Sequence, residues 1–143
     1  MPPAELSPYE WCLLRVVPRV ERGEQVNAGV VVYCQSREVL TAAIELDAAR
    51  VLALAPDLDV AVVQRHLDAA AAVCAGTHPA TAGLPAGQRF RWLTAPRSTV
   101  VQASPVHTGL SADPAGELGV LLDRMVRVAS PFPLSSRRTP PAR

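Results

Sequence analysis

Two apolar runs, WCLLRVV at residues 11–17 and NAGVVVY at 27–33, flank a short charged segment. Runs this rich in β-branched residues read as strands. Pro18 ends the first, and Gly23 supplies a turn between them. The pair therefore commits the chain to a sheet that begins with an antiparallel hairpin. The connection spans about eight residues, longer than the roughly two to five of common hairpin loops. It holds Arg19, Glu21, Arg22, Glu24 and Gln25, while Arg15 lies within the first strand itself.

A polar turn, Ser36-Arg37-Glu38, leads to a third strand over 39–46, which completes a meander. Asp47 is placed to cap a short helix closed by Pro56. Val60, Val63, Leu67, Ala70 or Ala71, and Cys74 recur three and four apart. They predict a helix with one buried face, stopped at Gly76. Its other face carries Gln64, Arg65 and Asp68. Pro79, Gly83, Pro85 and Gly87 mark residues 77–88 as loop. FRWLT at 90–94 alternates and predicts a strand; VVQA at 100–103 predicts another, and 106–108 an edge piece. Asp113-Pro114 is a helix start, with Asp as cap and Pro at the first helical position. Leu118, Leu121, Leu122, Met125 and Val128 or Ala129 form its apolar stripe, before Pro131 and Pro133. The reading is one α+β domain over residues 8–130. It expects an antiparallel sheet of about five or six short strands, with about three helices on one side. Residues 1–7 and 131–143 are expected to be disordered tails.

A chain of 143 residues suits one domain and can bury a core without staples. Apolar residues make up 49% but aromatics only 4%, so the core must be built from Val, Leu and Ala. All 14 basic residues are Arg, against 13 acids, for a net charge of +1. With no Lys, a phosphate-loop lysine and a Schiff-base lysine are both excluded. The near-neutral charge argues against nonspecific nucleic-acid binding. Three widely spaced cysteines do not make a disulfide framework. The N-terminal residues show no basic segment followed by an apolar run, and charges interrupt every apolar stretch. The expectation is a cytoplasmic protein with no membrane span.

The candidate chemistries are thin. Cys12 and Cys34 lie in facing strands and read as reduced core thiols rather than a redox pair. Cys74 and His78 have a ligand-like C-x₃-H spacing but no second close pair, so no metal is expected. Ser104, His107 and Asp113 have the residue types of a triad. Ser104 sits in no strand-to-helix elbow, however, and Asp113 already caps a helix. The acids are scattered, and Gly116 and Gly119 fall inside a helix rather than before one, so no catalytic residue and no cofactor is expected. Trp11, Phe90 and Trp92 read as core fillers rather than base-stacking platforms. What is left is Arg15, which must be paired or edge-exposed within its strand. Either it forms a structural ion pair with Glu24, or Arg15, Glu24, Asn27, Arg97 and Ser98 form a recognition site.

Several of these segments occur together in a known pattern: R-V-V-P at 15–18, E-x-V-N-x-G-V-V at 24–31 and D-x-x-R at 47–50. It continues with F-R-W-L-T-A-P-R-S at 90–98, V-Q-A-S-P at 101–105, Gly109, and D-P at 113–114 before a Leu-rich helix. In these the chain resembles a bacterial family, domain of unknown function 3037, over residues 9–128, with only a loose match at 55–88. The resemblance implies a small single-domain protein of a kind often encoded beside a HipA-like kinase. It implies a non-enzymatic accessory or regulatory protein, the kinase's partner, inhibitor or substrate in a toxin–antitoxin-type or regulatory module. Two other readings stay open: a small ligand-binding domain or enzyme using the charged loop, and a nucleic-acid binder using Arg residues on the sheet. Self-association is a further expectation for partners.

Overall fold

In the computed structural model, which describes residues 5–128, the expected hairpin forms. Strand β1 (Ser7–Val16) pairs antiparallel with β2 (Val26–Cys34), from Glu10 opposite Tyr33 to Val16 opposite Val26. β1 starts four residues before Trp11 because Ser7–Glu10 find a partner of their own further along the chain. β3 (Val39–Ile44) pairs with β2 and completes the meander. On its free side β1 takes two short strands end to end. β4 (Val101–Ala103) lies against Leu14–Val16, and β5 (His107–Ser111) against Ser7–Trp11. The five strands make one antiparallel sheet, ordered β3-β2-β1 and then the broken edge formed by β4 and β5.

Ser104 bridges the break in that edge. Its N–H donates to the Leu13 carbonyl (2.8 Å), and its hydroxyl accepts from the Leu13 N–H (2.8 Å). Pro105 turns the chain away here, so the serine oxygen takes the place of a carbonyl the ladder would otherwise supply. A buried N–H left without such a partner is expensive.

Alternation along the strands divides the core into two layers. Cys12, Leu14, Val16, Val31 and Tyr33 face α1 (Ala48–Leu54), α2 (Val60–Ala75) and α3 (Ala86–Thr94). Leu13, Val30 and Val32, with Tyr9 and Trp11, face the other way. They meet α4 (Pro114–Leu121) and the wider π turn that continues it, Leu122–Val126. Three helices therefore cover one face, but the C-terminal helix is not among them: it covers the opposite face.

A bulge between Leu14 and Arg15 sets the faces of the hairpin's open end. Leu14 is opposite Gly29 and Arg15 opposite Asn27, which leaves Ala28 unpaired with β1. Two consecutive residues, Ala28 and Gly29, then point to the three-helix face. Position 29 has no room for a side chain. A Cβ there would sit 2.9 Å from Ile44 Cδ1 and 3.0 Å from the Ala43 carbonyl oxygen. Beyond the bulge, Asn27 points to the α4 face.

The helix ends follow their caps. Asp47 accepts from the Arg50 N–H, Asp59 from those of Ala61 and Val62, and Asp113 from that of Gly116. Gly76 closes α2 in the left-handed region at φ 79°, its N–H reaching the Ala72 and Val73 carbonyls. One expected strand is a helix instead. Residues 90–94 belong to α3, where Phe90 and Leu93 are buried three apart and the loop before it ends at Pro85. The short alternation of FRWLT matches both periods, and packing on α2 selects the helical one. The π turn also shifts the C-terminal stripe. Val126 is buried, while Val128 is 68% exposed. The expected disorder of 131–143, and of 1–4 within the expected tail 1–7, lies outside the described residues, whereas Ser7 of that tail belongs to β1.

Candidate functional site

The α2 residues His66, Ala69, Ala70 and Val73 follow the spacing i, i+3, i+4, i+7 and line up on one side of the helix. Facing them across a gap are Trp92 and Leu93 of α3 and Val101 and Ala103 of the edge strand β4, with Leu14 beneath. The gap is a cleft of about 220 Å³. Arg89 holds its two helical walls together. Its guanidinium donates to the carbonyls of Val73 (2.9 Å) and Cys74 (3.3 Å) at the end of α2, and to that of Leu84 (2.7 Å). Val73 and Cys74 are in the last turn of α2, where a cation is favoured, and the Val73 carbonyl is shared with the Gly76 N–H.

The cleft's rim differs from its apolar floor. The Arg97 guanidinium carbon lies 3.9 Å from the centre of the Trp92 ring, and the side chain donates to the Trp92 carbonyl. This stacking fixes a cation over an aromatic face. The His78 ring lies 6.1 Å from that of Trp92, and its Nδ1 accepts from the Ala80 N–H (3.1 Å). In the neutral ring the proton then sits on Nε2 and is free to be donated. His66 and Thr99 complete the rim. Arg97, His66 and His78 border the cleft, and among the described residues no Asp or Glu lines it. The arrangement can hold an apolar group below and an acceptor or an anion above.

A shallower groove lies at the other end of the same face, around Glu10, Tyr33 and Gln35. There Arg91 and Glu10 form a two-pronged ion pair (2.8 and 2.9 Å). The pairing holds the Arg91 guanidinium further above its already high pKa, with the hydrogen bond to Glu10 as the first cause. Its charges answer one another, whereas those of the cleft do not.

The structure disperses the residues expected to form a recognition site. Arg97 lines the cleft. Ser98 is exposed beside it without lining it. Arg15 and Asn27 face each other across β1 and β2 on the opposite side of the sheet. Asn27 Nδ2 donates to the Met125 carbonyl (3.0 Å), and Arg50 reaches the Val126 carbonyl (3.5 Å). Together they hold the π turn on the sheet. Glu24 pairs with Arg22 at 2.5 Å. That hydrogen bond lowers the Glu24 pKa; Arg22 is exposed and Glu24 partly so.

The expected Arg15–Glu24 ion pair does not form. The ladder ends with Val16 opposite Val26, so Glu24 lies beyond it, and the bulge sets Asn27 rather than an acid against Arg15. Arg15 Nε is buried without a hydrogen-bond partner among the described residues. The loop's other ion pair, Arg19–Asp57 at 3.4 Å, is also exposed. Residues 18–25 line none of the clefts described above.

The remaining motifs have structural roles. Ser104 completes the sheet, His107 packs its ring 4.5 Å from that of Trp11, and Asp113 caps α4. Cys12 is opposite Val31, not Cys34, and all three thiols are free and buried. Burial pushes the Cys12 and Cys74 thiols up to about 12, which makes them poor nucleophiles. Among the described residues, no three His, Cys, Asp or Glu side chains gather as metal ligands. Phe90 is a core filler, fully buried, whereas Trp92 is 38% exposed and is not one. Trp92, His66 and His78 are the site residues that sequence reasoning missed. Reading 86–94 as a helix would have turned Trp92 away from Phe90 and toward solvent.

Fold and site define a small α+β domain with an apolar cleft rimmed by an arginine and two histidines. A family model described as a protein of unknown function (DUF3037) matches residues 11–126, and the chain belongs to that family. No curated protein and no solved structure matches it. Among the described residues, no helix is long and apolar enough to cross a membrane.

Proposed function

We propose that this protein is a non-enzymatic accessory or regulatory domain that docks on a kinase-like partner of the HipA type, and that the cleft between α2, α3 and β4 is its docking point. The observation that carries this reading is the size and rim of the cleft. A volume of about 220 Å³ is below the roughly 300–1,000 Å³ of pockets that enclose cofactors and drug-sized ligands. It matches one anchoring side chain. An exposed Trp and an Arg at its mouth are the residue types that dominate binding at protein interfaces.

The test is co-expression with the HipA-like kinase encoded nearest to this gene. Size-exclusion chromatography then reports the complex, and phosphate transfer by the kinase is measured with and without this domain. The reading requires co-elution, a changed kinase rate, and loss of both in Trp92→Ala and Arg97→Ala proteins whose far-UV circular dichroism is unchanged. Separate elution with an unaltered kinase rate would refute it.

A further inference from the structure

The cleft's polar groups make a stricter demand on its occupant than its volume does. Among the residues lining it, Thr99 donates its hydroxyl to the Val101 carbonyl (2.7 Å), and Gln102 donates its amide to the Thr99 carbonyl (2.9 Å). Thr99 has no hydroxyl proton left for a guest, whereas Gln102 keeps one amide N–H. His78 presents Nε2, because Nδ1 is already an acceptor. Arg97 uses part of one guanidinium nitrogen on the Trp92 carbonyl and keeps its other N–H groups. His66 stands at the mouth on α2, and among the described residues no acid lines the site. The unused donors belong to Arg97, which is the cation, and to His78, His66 and Gln102, with the Gln102 carbonyl oxygen as the neutral acceptor beside them, all bordering a floor of Leu14, Ala70, Val73 and Val101.

From this we infer that the cleft recognises an apolar side chain set directly beside a carboxylate. In a partner protein that is a medium-sized aliphatic residue followed by Asp or Glu, or by the chain's own C-terminus. The inference rests on the docking role proposed above and assigns the chemistry of the docked segment. A cavity of 150 Å³ lined by apolar groups holds benzene, so about 220 Å³ accommodates a leucine side chain with room to spare. The carboxylate then lies at the mouth, where planar Arg97 pairs with it in two-pronged fashion while stacked on Trp92. Amphipathic guests of this kind bind best where their charged end stays at the solvent boundary. Arg97, exposed at the rim, is placed to meet it there.

Two-dimensional amide NMR of the full chain tests this with three probes: N-acetyl-leucine, its neutral analogue N-acetyl-leucinamide, and the blocked dipeptide acetyl-leucyl-aspartyl-amide. Both acidic probes should move the Trp92 indole resonance and the amides of Ala69 to Val73. Each should bind about fivefold more tightly than the neutral analogue, the gain expected of one exposed charge pair. In Arg97→Gln, which keeps the side chain's length and loses its charge, that preference should vanish while weak apolar binding persists. Equal binding of acid and amide by the native chain would overturn the inference, as would shifts confined to the Glu10–Arg91 groove. The outcomes also separate the two proposals. If the acids are preferred and no kinase binds, the carboxylate site stands and the partnership falls. If a kinase docks through the cleft while acid and amide bind alike, the partnership stands and the carboxylate assignment falls.

Discussion

Replacing Ser104 by Ala removes one oxygen atom and should lower stability by about 2 kcal/mol. The Ser104 hydroxyl accepts from the Leu13 N–H at 2.8 Å and donates to the Pro105 carbonyl at 2.9 Å. Leu13 is 6% exposed, so without the hydroxyl its N–H is left inside the sheet with no access to water. Leaving a buried donor unpaired costs about 1–3 kcal/mol, and the lost methyl-sized volume is negligible beside that. With a urea slope of about 1.5 kcal/mol/M for a domain of this size, the midpoint should fall by about 1.3 M. Urea titration followed by tryptophan fluorescence measures it, because Trp11 lies in the same strand. The exposed Thr108→Ala variant, as a control, should change stability by less than about 0.5 kcal/mol. A Ser104→Ala midpoint within about 0.3 M of the native value would refute the assignment of this serine to the sheet.

Four further expectations follow from the same geometry. Asn27→Ala should destabilise by about 1–2 kcal/mol and speed hydrogen exchange selectively in residues 114–126, since it releases the Met125 carbonyl. Gly29→Ala should cost about 1–3 kcal/mol by overpacking against Ile44 and the Ala43 carbonyl, measured by thermal unfolding. Arg22→Ala should leave unfolding unchanged within about 0.5 kcal/mol, because its ion pair with Glu24 is open to solvent screening. Cys12 and Cys74 are raised from 9.0 to about 12 in the folded state, so the unfolded chain loses these protons first as pH rises. Their contribution is therefore complete below pH 9 and declines toward pH 12, and urea midpoints across that range should fall and fall less in Cys12→Ala.

The elements with strong local signals were legible in the sequence. The valine-rich hairpin, the Asp caps at 47 and 113 and the αL glycine at 76 are each fixed by backbone chemistry within a few residues. Residues 90–94 were not legible, because five residues fit both periods and the choice is made by Phe90 and Leu93 docking on α2. Nor could the sequence show the bulge at Ala28. That one extra residue sets Asn27 against Arg15 and sends it to the C-terminal turn rather than to a ligand. Arg97 was named among the candidate recognition residues, but its partners in the cleft were not. His66, His78 and Trp92 come from three separate segments that only the packing of α2, α3 and β4 brings together. The expected Arg15–Glu24 pairing drew attention to the first loop, whereas Arg19, Arg22 and Glu24 are engaged in other ion pairs.

The central claim is that the cleft, not the charged loop, is the surface this protein presents to a partner. Amide NMR of the isotopically labelled chain, titrated with the proposed partner, a HipA-like kinase, tests that claim most directly. The account predicts that the largest shifts and line broadening fall on His66, Ala69, Val73, the Trp92 indole, Arg97 and Thr99, with Arg19 to Glu24 little changed. Perturbation centred on Arg19 to Glu24 with the cleft resonances unmoved, or no perturbation at all, would contradict it.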